Sequence, residues 1–333
     1  MNIIGFYLEL WEYIVYKKGV EFMILSIDLN PSLDRRYFIQ NFEIGKSYTA
    51  YDTQYIPGGW GLDIAKIIKS FNEPIKVTGF LGGRNGEYVL EILNNMNINS
   101  EFVFIEEETR TNTKILTDYG IETEISERSP HLSNDEVVEF YELYRELIKE
   151  TKIICASGKI SRELPTDIYK DLILMAKEED KTFLLDTSGE ALRYGIHAAP
   201  FLIKPNRDEL EEYMGFIMTN ERDIIKSCTY IIENGVKMVV VSLGKAGAIV
   251  VYDGYSYKIN VPSIKEVNSN GAGSAMMAGF AISMLRQYDF EYMLKIAAAC
   301  GVASAMEMDT GVIDMGNMKS IASEIEIEKK LIF

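Results

Sequence analysis

Histidine is nearly absent from this 333-residue chain: there are two, His131 and His197, beside three scattered cysteines, Cys155, Cys228 and Cys300, with no C-x-x-C pair. A Ser-His-Asp triad, a zinc cage and a disulfide scaffold each demand more of these residues or closer spacing, so those designs are excluded. An odd number of separated thiols is expected of buried cysteines in a reducing cytoplasm. Positive charge is also short. Thirty-four Lys and Arg against 50 Asp and Glu leave a net −16, a field that repels nucleic acid and anionic lipid unless a local basic pocket overrides it. No apolar run reaches the length of a bilayer span, so neither nucleic acid nor a membrane is an expected partner.

What is present is an ordinary globular mixture, 47% hydrophobic and 25% charged, enough for about two domains or one large α/β domain. Residues 1–22 are apolar but carry Glu9 and Glu12, and they lack the basic start and small-residue cleavage site of a signal peptide. Lys17, Lys18, Gly19 and Val20 are encodable by an A-rich, GGAGT-containing stretch that resembles a bacterial ribosome-binding site just ahead of a Met23 codon. Met23 is therefore the expected start, and 1–22 an extension foreign to the fold. A genuine N-terminal helix is the alternative, because Leu8, Trp11, Ile14 and Val15 share a helical stripe.

From Met23 onward, β-rich runs at 23–29, 75–81, 152–156, 182–186, 201–204 and 238–243 alternate with helical patterns at 61–71, 165–178 and 223–233. A further helix is expected from a Ser133/Glu136 capping box to about residue 149. Such alternation implies a parallel sheet covered on both faces. Two stretches, about 34–56 and 100–125, read as β segments without helices and are expected to pair as a small sheet on one edge. Residues 238–261 read as three strands turning at Gly244 and Gly254, followed by helices at 272–285 and 293–305.

The sharpest motif is NSNGAGSA at 268–275, where Gly271, Ala272 and Gly273 lead into an apolar helix. Such a loop offers backbone N–H groups at the positive end of a helix dipole, where phosphate binds well. Close helix packing through small residues is the competing explanation. A second glycine loop, PGGWG at 57–61, opens another helix, and Leu243 to Gly247 forms a turn between strands.

Taken in order, LNPSLD (29–34), GGWGLD (58–63), GGRNG (82–86), ETR (108–110), DTSGE (186–190), KPNRDE (204–209), VSLG (241–244) and the Gly271 to Ser274 turn resemble the PfkB family of carbohydrate kinases. The likeness is to its 1-phosphofructokinase and tagatose-6-phosphate kinase branch and spans residue 23 to about 320. It implies a ribokinase-like α/β fold, a three-layer α/β/α sandwich with a mostly parallel central sheet. The segments at 34–56 and 100–125 would be a β lid that covers the sugar and often carries a dimer contact in relatives, so a homodimer is expected. Phosphoryl transfer from ATP with Mg2+ to a sugar phosphate is the implied activity.

By the same resemblance, Asp34 accepts hydrogen bonds from sugar hydroxyls, Gly59 belongs to the sugar-site loop and Arg110 clamps the substrate phosphate, a task suited to a planar fork of donors. Lys204, Asn206 and Glu209 organise nucleotide phosphates, with Glu209 toward magnesium; Ser242, Gly244 and Gly247 face the nucleotide. The bland alternatives are a turn residue for Asp34, a solvated surface arginine for Arg110 and simple first-turn acids for Asp208 and Glu209.

The pattern breaks at one place above all. Where the family has the aspartate that takes the proton from the attacking hydroxyl, this chain has Ser274, and a serine has no accessible basic form near neutral pH. Positioning and the anion hole would survive its loss. Aspartate and serine codons differ at two or more bases, so a single misread nucleotide does not account for it. Trp60 stands where this branch usually carries a phosphate-binding lysine, and Asp63 where it carries an asparagine, removing one positive charge and adding one negative. Trp60 either stacks on a sugar or base face or fills space. Asp63, Asp309 and Asp34 are the acids the sequence offers as replacement bases, with nothing to choose among them. The expectations are a slowed kinase, a pseudokinase that binds nucleotide or sugar phosphate as a sensor or partner, or an enzyme for an unphosphorylated sugar or nucleoside.

Overall fold

The computed structural model describes residues 23–118 and 122–332, so the readings placed on 1–22 lie outside the described residues. In chain order the strands are β1 (Met23–Asp28), β2 (Ser32–Ile39), β3 (Asp52–Gly58), β4 (Ile75–Gly82), β5 (Asn99–Ser100), β6 (Val103–Ile105), β7 (Thr111–Thr117), β8 (Glu122–Ser126), β9 (Thr151–Ser157), β10 (Thr182–Asp186), β11 (Leu202–Ile203), β12 (Met238–Ser242), β13 (Ala248–Tyr252), β14 (Tyr255–Asn260) and β15 (Glu326–Leu331). Eleven of them form one sheet in the order β15-β14-β13-β12-β11-β10-β9-β1-β4-β5, with β6 also paired to β4. Pairing is parallel from β12 through β5 and antiparallel from β12 to β15.

Side chains alternate across this sheet with a period of two. Ile24 and Val240 enter one apolar cluster, with the helices Trp60–Ser70, Ala272–Leu285 and Phe290–Ser304. Leu25, Val239 and Val241 enter the other, with Asn134–Leu147, Ile168–Glu178 and Glu221–Glu233. The result is the three-layer α/β/α sandwich. Among the described residues no helix is long and apolar enough to cross a membrane.

The remaining strands form a four-stranded sheet in the order β3-β2-β7-β8. The sequence expectation for 100–125 needs correction here, because β5 and β6 pair with β4 in the large sheet. Val103 and Ile105 are 1% and 3% exposed and belong to the second apolar cluster, so burial draws this stretch into the main core. The strand expected at 201–204 reduces to β11, although Phe201 and Lys204 still donate backbone hydrogen bonds to Phe183 and Leu185. The helix expected from 223 starts at Glu221, where Asn220 accepts hydrogen bonds from the Arg222 and Asp223 amides.

Candidate active site

A cleft of about 780 Å3 lies beyond the carboxyl ends of β10, β11 and β12, roofed by residues of the four-stranded sheet. Open α/β sheets place ligands at this end because the helix N-termini converge there. The wall is made by the helix Ala272–Leu285, whose cap Gly271 has a left-handed φ of 82°. Its first-turn amides at Gly273 and Ser274 have no carbonyl one turn back to bond, and both residues line the cleft. They lie at the positive end of a helix buried on nearly every side, so the geometry favours an anion. Helix packing is served by other glycines: a Cβ on Gly279 would come within 2.6 Å of the Ala297 Cα. A Cβ on Gly273 would instead stand 3.0 Å from the Lys204 ammonium.

Beneath the anion-binding turn, Lys204 faces Asp186 at 3.2 Å, both side chains about 5% exposed or less. Burial pushes the Asp186 carboxyl above the usual range, with Lys204 and Ser157 working against the rise. Asn206 and Glu209 form a reciprocal cap on the helix Arg207–Met214: Glu209 N donates to Asn206 Oδ1 and Asn206 N to Glu209 Oε2, each at 2.8 Å. The first-turn acid reading is thus realised at Glu209, and its second oxygen lies outside the cap. Burial also raises the Glu209 carboxyl. Ser242 forms a parallel bridge with Asn206, and Gly244 and Gly247 carry the wall around the turn after β12.

On the roof, period-two alternation turns Asp34 of β2, Asn112 and Lys114 of β7, and Glu124 and Ser126 of β8 toward the cleft. Asp34 accepts from Ser32 Oγ at 2.7 Å, Asn112 Nδ2 at 2.9 Å and Lys114 Nζ at 3.0 Å. Burial lowers the Lys114 ammonium, but the Asp34 charge and hydrogen bond together with the Glu124 and Glu122 charges more than reverse this, so its pKa is raised. The glycine loop makes room for carboxylates. A Cβ on Gly58 would overlap Asp34, and one on Gly59, at φ 139°, would overlap Asp28, which accepts from the Gly61 and Leu62 amides. Trp60 follows, 37% exposed on the cleft wall.

Charge around Asp63 departs from the sequence expectation. Asp63 does not add an uncompensated negative charge, because Lys66, one helical turn on, meets it at 2.6 Å with both side chains 4% exposed. Thr310 Oγ1 donates to the same Asp63 oxygen, and Lys66 also donates to the Pro57 and Thr310 carbonyls. Among the four cations lining the cleft, Lys114, Lys204 and Lys245 are ion-paired with Asp34, Asp186 and Glu266. Arg110 has only neutral hydrogen-bond partners among the described residues, the Asn30 carbonyl and the Asn112 amide oxygen.

One cleft is lined by Ser274, Gly271, Ala272 and Gly273; Asp34, Gly59, Trp60, Asp63 and Arg110; and Lys204, Asn206, Glu209, Ser242, Gly244 and Gly247, all singled out from sequence. Asp309 does not line it and is ion-paired with Arg36. Sequence reasoning missed Asn112, Lys114 and Thr310 on the cleft wall and Lys66 behind it. It quoted Asp186 in a motif without giving it a role. The available signal was the alternation of Asn112 and Lys114 along one strand.

With cleft and fold in place, comparison with known proteins defines the class: residues 26–314 match the pfkB family of carbohydrate kinases, and the chain belongs to that family. It is 35% identical over 308 residues to a tagatose-6-phosphate kinase of Staphylococcus epidermidis, covering 92% of this chain and 99% of that one. It is 32% identical to a 1-phosphofructokinase of Bacillus subtilis, covering 92% and 100%. The crystal structure of phosphofructokinase-2 from Escherichia coli in complex with potassium matches in fold, with a TM-score of 0.85 at 24% identity over 92% of this chain and 99% of that one.

Proposed function

We propose that this chain transfers the γ-phosphoryl group of ATP to a ketohexose phosphate of the tagatose 6-phosphate or fructose 1-phosphate kind, slowly because Ser274 stands where a proton acceptor is needed. The observation that carries the reading is the Gly271 to Ser274 turn, which opens the buried helix directly onto the cleft. Arg110 is, among the described residues, the cleft cation without a carboxylate partner and takes the phosphate already on the sugar. Asp34, held by Ser32, Asn112 and Lys114, presents its remaining acceptor capacity to sugar hydroxyls. The Gly273 and Ser274 amides and Lys204 hold the migrating phosphoryl group and stabilise charge as it develops. Ser242, Gly244 and Gly247 border the nucleotide.

No group of three or more His, Cys, Asp or Glu able to hold a metal exists among the described residues. The Glu209 oxygen outside the helix cap fits Mg2+ that keeps water and phosphate oxygens as its other ligands. When bound, Mg2+ screens the negative charge of the phosphates. A homodimer through the small sheet accords with Ile125, which is 60% exposed and alternates with the cleft-facing Glu124 and Ser126.

The test is coupled ADP release with tagatose 6-phosphate and with fructose 1-phosphate, beside thermal shift with ATP. Sugar-dependent turnover above solvent background is expected with one of them. Stabilisation by ATP without turnover on either sugar would replace the kinase reading by that of a binding protein.

A further inference from the structure

The loss at position 274 leaves the anion-binding turn without a carboxylate of its own, and the acids around it are not equivalent. Asp34 gives one oxygen to Ser32 and Asn112 and the other to Lys114. Asp63 is engaged by Lys66 and Thr310, both on Oδ1, and sits beside Gly311 rather than beside Gly273, and Asp309 is engaged by Arg36. Asp186 differs. It ends β10, is 3% exposed and lines the cleft. Its Oδ1 faces Lys204, while its Oδ2 receives, among the described residues, only a long contact from Ser157 Oγ at 3.4 Å. That less-used oxygen is turned toward the phosphoryl-binding turn, since a Cβ built on Gly273 would stand 3.5 Å from it. A buried acceptor with spare capacity therefore sits beside the residue adjoining the vacated position.

We propose that Asp186 Oδ2 is the proton acceptor of this chain's phosphoryl transfer, in place of the side chain missing at 274. The inference rests on the kinase reading above. In the step, the sugar O–H bond breaks and its proton passes to Asp186 Oδ2. The freed oxygen pair forms the new O–P bond, and the bond from the γ-phosphorus to the bridging oxygen breaks, its electron pair leaving on ADP. Water later takes the proton from Asp186. Burial, which raises the proton affinity of this carboxylate, suits it to the task, while Lys204 and Ser157 beside it work against the rise.

The experiment is a kinetic cycle on the full chain: native protein, Asp186→Asn, Ser274→Asp and the double variant, each at saturating ATP and sugar phosphate. Removing the acceptor is expected to lower the native kcat by about 10²-fold or more. In the Ser274→Asp protein the same removal costs at least about tenfold less, because a carboxylate has returned to 274. Equal losses in both backgrounds, or no loss in the native one, overturn the proposal and leave Asp186 as the support of Lys204. Thermal shift with ATP checks that Asp186→Asn is folded. If it is not, Asp186→Glu, which keeps the charge beside Lys204 and moves the oxygens by one methylene, is run through the same comparison. Native turnover that survives Asp186→Asn refutes the role of Asp186 and leaves the kinase reading standing; turnover by Ser274→Asp but not by the native chain, or absence of turnover in every variant, refutes both.

Discussion

Asp28 closes β1 with a carboxylate that is 3% exposed and, among the described residues, has no ion-pair partner, only the Asn30, Gly61 and Leu62 amides. Burial pushes its pKa up to about 6, against those hydrogen bonds and the more distant Arg110 charge, which pull it down. Because the folded value lies above the ordinary 3.8, the folded state binds the extra proton between those limits. Its contribution to stability is full below about pH 4 and is lost as pH rises through about 6. The stability difference between native protein and Asp28→Asn, from urea unfolding, should therefore fall by about 2 kcal/mol between pH 4 and 7; a difference flat with pH would contradict the assignment. Ser274 was legible from sequence because it stands inside a contiguous motif. Lys66 and Lys114 were not, because their roles appear only when Thr310 and Asp34 come near from distant parts of the chain.

At the scale of elements, the Asp63–Lys66 pair fastens the helix Trp60–Ser70 to the turn at Thr310, and that turn backs Gly271: a Cβ there would approach Thr310 at 3.1 Å. Two walls of the cleft are thus joined through one buried ion pair. Lys66→Met keeps the length and removes the charge, leaving a buried carboxylate uncompensated. A loss of about 3–5 kcal/mol in unfolding free energy is expected, and Asp63→Asn in the same chain should recover most of it; an unchanged urea midpoint for Lys66→Met would show that the pair does not join the walls. Strands and helices of the central layers were legible because burial on one or two faces imposes a clear period, as in β10 and Ala272–Leu285. The short β5 and β6 were not, since pairing with β4 depends on where Val103 and Ile105 find a core.

At the scale of the whole molecule, a net charge of −16 opposes any phosphorylated ligand, and the fold answers locally. The parallel sheet collects an acid, a lysine and a helix N-terminus at one end, and the small sheet brings Arg110 over them. The likeness to a tagatose-6-phosphate kinase extends over 92% of the chain, yet position 274, where we propose that a proton acceptor is needed, is a serine. The most direct measurement is kcat for coupled ADP release with tagatose 6-phosphate or fructose 1-phosphate, native protein against Ser274→Asp. A cleft otherwise competent for phosphoryl transfer predicts a gain of about tenfold or more, within the 10²–10⁴ that a general base supplies, reduced by whatever Asp186 already contributes. A correctly folded Ser274→Asp protein with no gain on either sugar would contradict the account.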